Sequence, residues 1–377
     1  MAERAAAPQK KGLEGIVAGN TSLSVIDGQQ GLLSYCGYNI HDLVKGSFEE
    51  TAYLLLNHKL PTQMELDEFN KQIEGESSLS REVIKMIQSL PNGTNAMAAL
   101  RGVFSTLGYY DDESEDNSGE ANRRKAIRLI AKTPIAVTTF QRSRNGQEPL
   151  MPKSGKSIAW NFLYMLFGEE PSDAKVELMD TVLILHADHG FNASTFACRV
   201  IAATLSDIYS AVTGAVGALK GPLHGGANER VMNMLLEIND VDRTEAWIRN
   251  ALANKVKIMG FGHRVYKTED PRATHLRGMS KGLAEDTGES KWYEMSQIIE
   301  NIMVNEKGIN PNVDFYSASS YYMMGIPIDL YTLIFAISRV SGWTAHFLEQ
   351  MSDNRLIRPG STYIGERDLE YIPIDQR

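Results

Sequence analysis

Half of the eight histidines in this 377-residue chain lie within one stretch, between positions 186 and 263. They are His186, His189, His224 and His263, and three of the four adjoin glycines in HADHG, PLHGG and GFGHR. Imidazole is the one side chain whose ordinary pKa, about 6.5, lies near neutral pH. Histidines gathered beside glycine-rich turns therefore indicate proton transfer rather than the packing of a core.

Two further features of the sequence suggest which groups carry an acid–base reaction. His224 comes just before a predicted helix, and the positive end of a helix disfavours imidazolium, so a neutral ring could donate a hydrogen bond to a developing enolate. Asp314, in NVDFYSA, lies among apolar and aromatic residues, where partial burial would raise its pKa and make it a usable base. The alternatives are a structural histidine at 224 and a helix N-cap at 314.

Basic residues predict an anionic ligand. Arg272, Arg339 and Arg358 are candidate carboxylate clamps because guanidinium binds carboxylates with two hydrogen bonds, although each alone is also typical of a surface salt bridge. The segment 255–281 carries a local charge of +5 in a chain of net charge −9. Since the glycines of GFGHR let the backbone approach a ligand closely, this segment predicts an anionic or phosphate-bearing ligand, with a solvated basic face as the alternative.

Composition excludes several classes of protein. The net charge of −9 argues against nucleic acid or an anionic membrane as the main partner. No apolar run approaches the ~18 residues that span a bilayer. Residues 1–12 lack the apolar region of a secretory signal, and we interpret them as a frayed tail. Cys36 and Cys198 suit a reducing compartment, so a cytoplasmic protein is predicted.

A metal site is the alternative role for the histidines, because His186 and His189 are spaced i, i+3 and two more histidines could complete a set. The chain has no HExxH motif and no cluster of cysteines, so we predict no metal. The G-x-G at 260–262 follows no predicted strand and lacks the third glycine of a dinucleotide fingerprint, which argues against a Rossmann site.

Apolar residues recur with helical spacing along most of the chain, which predicts a mostly α-helical protein. One helix is predicted to start at Ser172 and to carry on one face Leu178, Val182, Leu185 and His189. A second stripe comprises Val231, Leu235 and Ile238, and a third comprises Trp292, Met295, Ile299 and Ile302, closed by Gly308. A fourth helix is predicted from about Leu330 to Met351, and the clearest β-like stretch is Ser22 to Ser34.

Four long motifs, GPLHGGANERV, IMGFGHRVYKTEDPRA, PNVDFYSASSYYMMGIP and SRVSGWTAHFLEQ, resemble the citrate synthase family. The resemblance runs from GLEGIVAGN near the N-terminus to RPGSTYIG near the end, and the short N-terminus is similar to the compact bacterial form. It implies an all-α, two-domain fold, with a large helical domain of residues 1–225 and 326–377 and a small helical domain of residues 226–325. It also implies a homo-oligomer, at least a dimer, that condenses acetyl-CoA with oxaloacetate and water without a metal or redox cofactor.

The resemblance also implies roles for single residues. His224 would hold the thioester enol(ate), Asp314 would take the methyl proton, and His263 would bind and protonate the oxaloacetate carbonyl. Oxaloacetate would be held by His189, Arg272 and Arg339, and also by Arg358 of the neighbouring subunit. Coenzyme A would contact Ile258, Met259, Gly260, Phe261, Gly262 and, at its phosphates, Lys267.

Two other functions stay open on the sequence. 2-Methylcitrate synthase shares these motifs and takes propionyl-CoA, and one extra methylene is worth only ~1–3 kcal/mol in a pocket. A non-catalytic helical assembly protein with the same fold is the alternative of another class. Such a scaffold would need none of His224, His263 and Asp314, which argues against it. One departure from the family pattern is Gly190, where a larger, often polar residue is usual.

Overall fold

The computed structural model describes residues 11–13 and 15–377, so most of the tail predicted at residues 1–12 lies outside it. These residues form sixteen α-helices and one small sheet, which confirms the all-α class. The helices are α1 Ile40–Leu43, α2 Phe48–Asn57, α3 Gln63–Glu76, α4 Arg81–Gln88, α5 Ala96–Leu107, α6 Gly119–Arg144, α7 Ile158–Phe167, α8 Asp173–His186, α9 Ala193–Ala202, α10 Ile208–Leu219, α11 Ala227–Ile238, α12 Val241–Ala253, α13 Pro271–Thr287, α14 Ser290–Lys307, α15 Val313–Met323 and α16 Tyr331–Ser352.

The predicted β-like stretch, Ser22 to Ser34, contains strand residues, and it is part of an antiparallel meander that extends to Asn39. Its strands are β1 Ser24–Asp27, β2 Leu32–Tyr35 and β3 Tyr38–Asn39. Strands β1 and β2 pair from Ser24 opposite Tyr35 to Asp27 opposite Leu32. The turn between them is shaped by Asp27, whose Oδ1 accepts the N–H groups of Gln29 and Gln30.

Local helix signals in the sequence are confirmed. Ser172 caps α8 by accepting the N–H of Lys175. Gly308, directly after α14, adopts the left-handed conformation, with φ of +65°. Helix α16 begins and ends within one residue of its predicted limits.

Helix α16 is the centre of the core. Almost every residue from Tyr331 to Phe347 is buried, and the helix packs against α2, α6, α8, α9 and α10. A helix that is apolar on all faces needs such surroundings, because each face must be removed from water. The few polar side chains that α16 brings into this core, among them Arg339 and His346, are therefore held in place by dense packing.

The predicted position of His189 on a face of the preceding helix is wrong. Helix α8 ends at His186, and His189 lies in the turn that leads to α9. The ring is nevertheless buried, because the turn packs under the N-terminal meander. Gly190 donates its N–H to Ser24 Oγ, at 2.9 Å, and a Cβ on Gly190 would lie 3.3 Å from Ile26. The φ of Gly190 is +54°, a conformation that favours glycine. This accounts for the glycine at a position where the family usually has a larger residue.

The predicted domain limits fall between helices. Residues 225 and 226 lie between α10 and α11, and residues 325 and 326 lie between α15 and α16. The division into two domains stays a prediction. Among the described residues, no helix is both long enough and apolar enough to span a membrane.

Candidate active site

The loop between α12 and α13 brings His263 against His189. The two imidazole rings lie 5.3 Å apart, and the Tyr266 hydroxyl lies 3.1 Å from Nε2 of His189. His263 Nδ1 accepts the N–H groups of Val265 and Tyr266, at 3.1 and 3.2 Å. The proton of the neutral His263 ring therefore sits on Nε2, where it can be donated to a substrate.

Asp314 is placed by a short backbone pairing next to the same loop. The N–H of Gly262 donates to the Asn310 carbonyl, and the N–H of Asn312 donates to the Gly260 carbonyl. The side chain of Asn312 then caps α15 by accepting the N–H of Asp314. The N-cap is thus Asn312, so the alternative role for Asp314 as the cap is wrong and its carboxyl is free for chemistry. Burial raises the pKa of Asp314 to about 7.

Arg272 forms a buried ion pair with Asp270 rather than a surface salt bridge. Its Nε and Nη2 donate to the two carboxylate oxygens of Asp270, at 2.9 and 2.8 Å. Asp270 also accepts the N–H of Val313 at the start of α15, which ties Arg272 to the helix of Asp314. Burial and then the Arg272 charge lower the pKa of His263 to about 4, so this imidazole is neutral at physiological pH.

His224 is held by the start of α9. Its Nε2 accepts the N–H of Ser194, at 3.3 Å, and lies 2.9 Å from the Ser194 hydroxyl. The proton of the neutral ring therefore sits on Nδ1. Burial, with a smaller effect of the Arg339 charge, lowers the pKa of His224 to about 4. The His224 imidazole is therefore neutral at physiological pH, as the sequence predicts, and burial is the main cause.

The terminal guanidinium nitrogens of Arg339 are available to bind a ligand. Its Nε donates to the His186 carbonyl, at 2.7 Å, and its guanidinium lies 4.6 Å from the centre of the Phe335 ring. Nη1 and Nη2 are buried, and neither finds a hydrogen-bond partner among residues 11–13 and 15–377. Buried donors without an acceptor are costly, and a planar guanidinium edge fits a carboxylate, so this edge suits an anionic ligand.

His186 is buried close to the site, and one of its two ring nitrogens is bound to the backbone. Its Nδ1 donates to the Val182 carbonyl, at 2.8 Å, and burial lowers the pKa of the ring to about 3. In the described part of the chain, no three His, Cys, Asp or Glu side chains come together as metal ligands would. That the protein needs no metal stays a prediction.

The basic segment divides into buried and exposed parts. Arg272 is buried in its ion pair, and Arg277 is bound to Glu269 and Glu300, so the local charge of +5 overstates the surface charge. Five cations of this segment are exposed, and one of them, Lys281 in α13, lies 3.9 Å from Glu285. The other four precede α13: Lys255, Lys257, Arg264 and Lys267. They adjoin the predicted coenzyme A stretch, in which Ile258 and Phe261 are buried, Met259 is half-buried, and Gly260 and Gly262 have positive φ.

Arg358 is not brought to the site within this chain. It is exposed, on the C-terminal segment that follows α16. The other predicted residues do converge, since Arg272 lowers the pKa of both His189 and His263, and Arg339 lowers the pKa of both His189 and His224.

Sequence reasoning missed three residues of the site. Ser194 fixes the tautomer of His224, Tyr266 links His263 to His189, and Asp270 orients Arg272. Tyr266 and Asp270 lie three and seven positions after His263, inside a motif that the sequence already singled out. Ser194 carries no such signal, because it lies 30 positions from the histidine that it contacts.

The chain is similar over nearly its whole length to known proteins. The citrate synthase C-terminal domain family matches residues 12–360. The chain is 55% identical to citrate synthase 2 of Bacillus subtilis over 97% of this chain and 99% of that protein, and 50% identical to citrate synthase of Haloferax volcanii over 98% and 99%. It is also 44% identical to 2-methylcitrate synthase 2 of Corynebacterium glutamicum over 98% of each chain.

A solved structure is similar throughout. It is the ternary complex of carboxymethyl coenzyme A and oxaloacetate with citrate synthase from Thermoplasma acidophilum, and it has a TM-score of 0.92 and 37% identity, covering 97% of this chain and 99% of that one. An all-α fold with neutral imidazoles, a carboxyl of raised pKa and buried arginines defines an acid–base enzyme. The chain belongs to the citrate synthase family, and it is an acyltransferase.

Proposed function

We propose that this enzyme condenses acetyl-CoA with oxaloacetate and water to give citrate and CoA. The observation that carries the proposal is the unpaired edge of Arg339, which lies near neutral imidazoles and suits a small dianion such as oxaloacetate. The Thermoplasma acidophilum relative was solved with oxaloacetate and a coenzyme A analogue, which supports the same pair of ligands here.

In this proposal, the ionised Asp314 takes a proton from the methyl group of acetyl-CoA. The Nδ1–H of His224 donates a hydrogen bond to the thioester oxygen, where the negative charge develops. The enol(ate) carbon then attacks the ketone carbon of oxaloacetate, and the Nε2–H of His263 protonates the ketone oxygen as the new carbon–carbon bond forms. Water finally adds to the thioester carbonyl carbon, the carbon–sulfur bond breaks and CoA leaves as the thiol. Proton exchange with water returns Asp314 to the carboxylate and His263 to the neutral imidazole.

The binding roles follow the same chemistry. Arg339, Arg272 and His189 would hold the carboxylates and carbonyl of oxaloacetate. The exposed cations beside the loop, above all Lys267, would attract the phosphates of CoA, and residues 258–262 would lie against its adenine. In the condensation, the methyl proton, the thioester oxygen and the ketone oxygen each have a protein partner, so we propose that neither a metal nor a redox cofactor takes part. The two free thiols, Cys36 and Cys198, support a cytoplasmic location.

We also propose that the enzyme works as at least a dimer, with Arg358 completing the site of the neighbouring subunit. Residues 353–377 are almost wholly exposed in the single chain, although they carry large apolar side chains. Ile364 is 94% exposed and Tyr371 is 79% exposed. Such a row of exposed apolar groups is typical of a surface that a partner covers.

The test of the reaction is release of free CoA thiol, followed with acetyl-CoA and with propionyl-CoA in a buffer containing a chelator. We expect release that depends on oxaloacetate and a higher kcat/KM for acetyl-CoA. A higher kcat/KM for propionyl-CoA would instead assign the chain to 2-methylcitrate synthases. No release with either thioester would overturn the proposal and leave the assembly protein.

A further inference from the structure

The N-terminal hairpin, Ser24–Tyr35, contacts two segments of the site, the turn that carries His189 and the loop that carries His263. On one side Ser24 Oγ accepts the N–H of Gly190, next to His189. The Tyr35 hydroxyl lies within 3.1–3.4 Å of the carbonyls of Ile184, Leu185 and Asp188, which lead into the same turn. On the other side, the turn of the hairpin touches the loop that follows His263.

The contact with the His263 loop is a backbone contact without space for a side chain. The N–H of Lys267 donates to the Gly28 carbonyl, at 2.8 Å. A Cβ on Gly28 would lie 2.1 Å from the Val265 carbonyl oxygen, and a Cβ on Gly31 would lie 2.8 Å from Thr268 Oγ1. The φ of Gly28 is not positive, so close approach, rather than backbone strain, accounts for this glycine.

A second contact joins the same two parts of the chain. His41, in the helix directly after the meander, has its Nδ1 2.7 Å from Nε2 of His275 in α13. Arg272 lies in the first turn of the same helix, so the N-terminal region touches this part of the site at two separate points.

We propose that the hairpin is the positioning element that sets the His263 loop against the His189 turn, with Gly28 as its main positioning residue. The loop Val265–Glu269 has no regular secondary structure of its own, and the contact between Tyr266 and His189 depends on where this loop lies. A site geometry that shifts by about 1 Å can cost on the order of 100-fold in rate. This inference rests on the proposed function only for its kinetic consequence.

The experiment compares Gly28→Ala with Gly37→Ala. Gly37 lies in the other turn of the same meander, has φ of +88°, and a Cβ there would meet nothing within 4 Å. Gly37→Ala therefore strains the meander without touching the His263 loop. Asp27→Ala is a milder second variant, because it removes the carboxylate that shapes the turn at Gln29 and Gln30 without adding a Cβ against Val265.

Two readouts are needed, hydrogen–deuterium exchange of the peptide spanning 264–269 without substrates, and steady-state kinetics for oxaloacetate. For Gly28→Ala we expect faster exchange in that peptide and a fall in kcat/KM of about tenfold or more. Asp27→Ala should show smaller changes in both readouts. Gly37→Ala should change neither the exchange nor kcat/KM, even if its melting temperature falls as much as that of Gly28→Ala.

Equal effects of Gly28→Ala and Gly37→Ala, or unchanged exchange at 264–269 in Gly28→Ala, would overturn the proposal. If Gly28→Ala fails to fold, Asp27→Ala decides by the same criteria. If the wild-type enzyme releases no CoA but Gly28→Ala still increases exchange at 264–269, the proposed reaction is refuted. The proposed positioning of the loop then stands.

Discussion

The same physical cause acts in opposite directions on the two groups at the centre of the proposed reaction. Burial penalises the charged form of any side chain, so it raises the pKa of Asp314 to about 7 and lowers the pKa of His224 to about 4. The result is one carboxyl that is partly ionised at neutral pH and one imidazole that is neutral. This pairing suits a base that acts together with a hydrogen-bond donor.

Asp314→Asn is expected to keep the fold and lose most turnover, because the amide cannot accept the methyl proton. Loss of a general base costs about 10²–10⁴-fold in rate. The measurement is kcat from CoA release, with Asp286→Asn, an exposed aspartate of α13, as the control. If Asp314→Asn kept more than about half of the wild-type kcat, its assignment as the base would be wrong.

The pH dependence of kcat/KM for acetyl-CoA should follow the ionisation of Asp314. Since only the carboxylate can accept the proton, kcat/KM should rise with pH and level off above an apparent pKa near 7. His224 and His263, each with a pKa of about 4, stay mostly neutral between pH 5 and pH 8.5. Rates measured from pH 5 to 8.5 test this, and a flat profile down to pH 5 would contradict it.

At the scale of elements, close packing of α16 on the turn after α8 holds Arg339 and His189 together. Gly342 permits this approach, because a Cβ there would lie 2.3 Å from the Ala187 carbonyl oxygen and 2.9 Å from Asp188 Oδ1. The first neighbour is backbone, and the second belongs to a fully buried carboxylate that lies 3.2 Å from His346 Nε2. The backbone of the turn would have to move to admit any larger residue.

Gly342→Ala is therefore expected to destabilise the protein by about 1–3 kcal/mol, the usual cost of overpacking a core. The matched control is Gly75→Ala in α3, where a Cβ would meet nothing within 4 Å and helix propensity predicts a gain of up to about 1 kcal/mol. Denaturant unfolding of both variants gives the comparison. A Gly342→Ala variant as stable as wild type would show that the turn is not tightly packed.

Local features of the fold could be predicted from the sequence, and contacts between distant segments could not. The caps at Ser172 and Gly308 depend on neighbouring residues alone, so their sequence signals were sufficient. The end of α8 before His189 depends on packing against the meander, which apolar spacing does not report. The contact between Tyr266 and His189 joins positions 77 apart, and no local pattern encodes it.

At the scale of the whole molecule, the exposed C-terminal segment bears on how many chains build one site. We expect Arg358 to act in trans, since closed two-fold dimers place the same segment of each chain against its partner. His224→Ala and Arg358→Ala chains should each be nearly inactive. Denatured together and refolded in equal amounts, they should regain roughly a quarter of wild-type activity, because about half of the dimers are mixed and each mixed dimer has one intact site.

Recovery no greater than that of the two variants refolded separately, with mixed dimers confirmed by native mass spectrometry, would place Arg358 in its own chain's site or outside the site. A chain that stays monomeric throughout the assay while fully active would refute the shared site as well.

The central claim is that the methyl carbon of acetyl-CoA becomes a carbon nucleophile that attacks oxaloacetate. Its most direct test is incubation of the wild-type enzyme with oxaloacetate and acetyl-CoA labelled with carbon-13 at the methyl group, followed by NMR. We predict that the label appears in a methylene carbon of citrate, with one CoA released for each citrate formed. Labelled acetate in place of citrate, or no transfer of the label, would contradict the account.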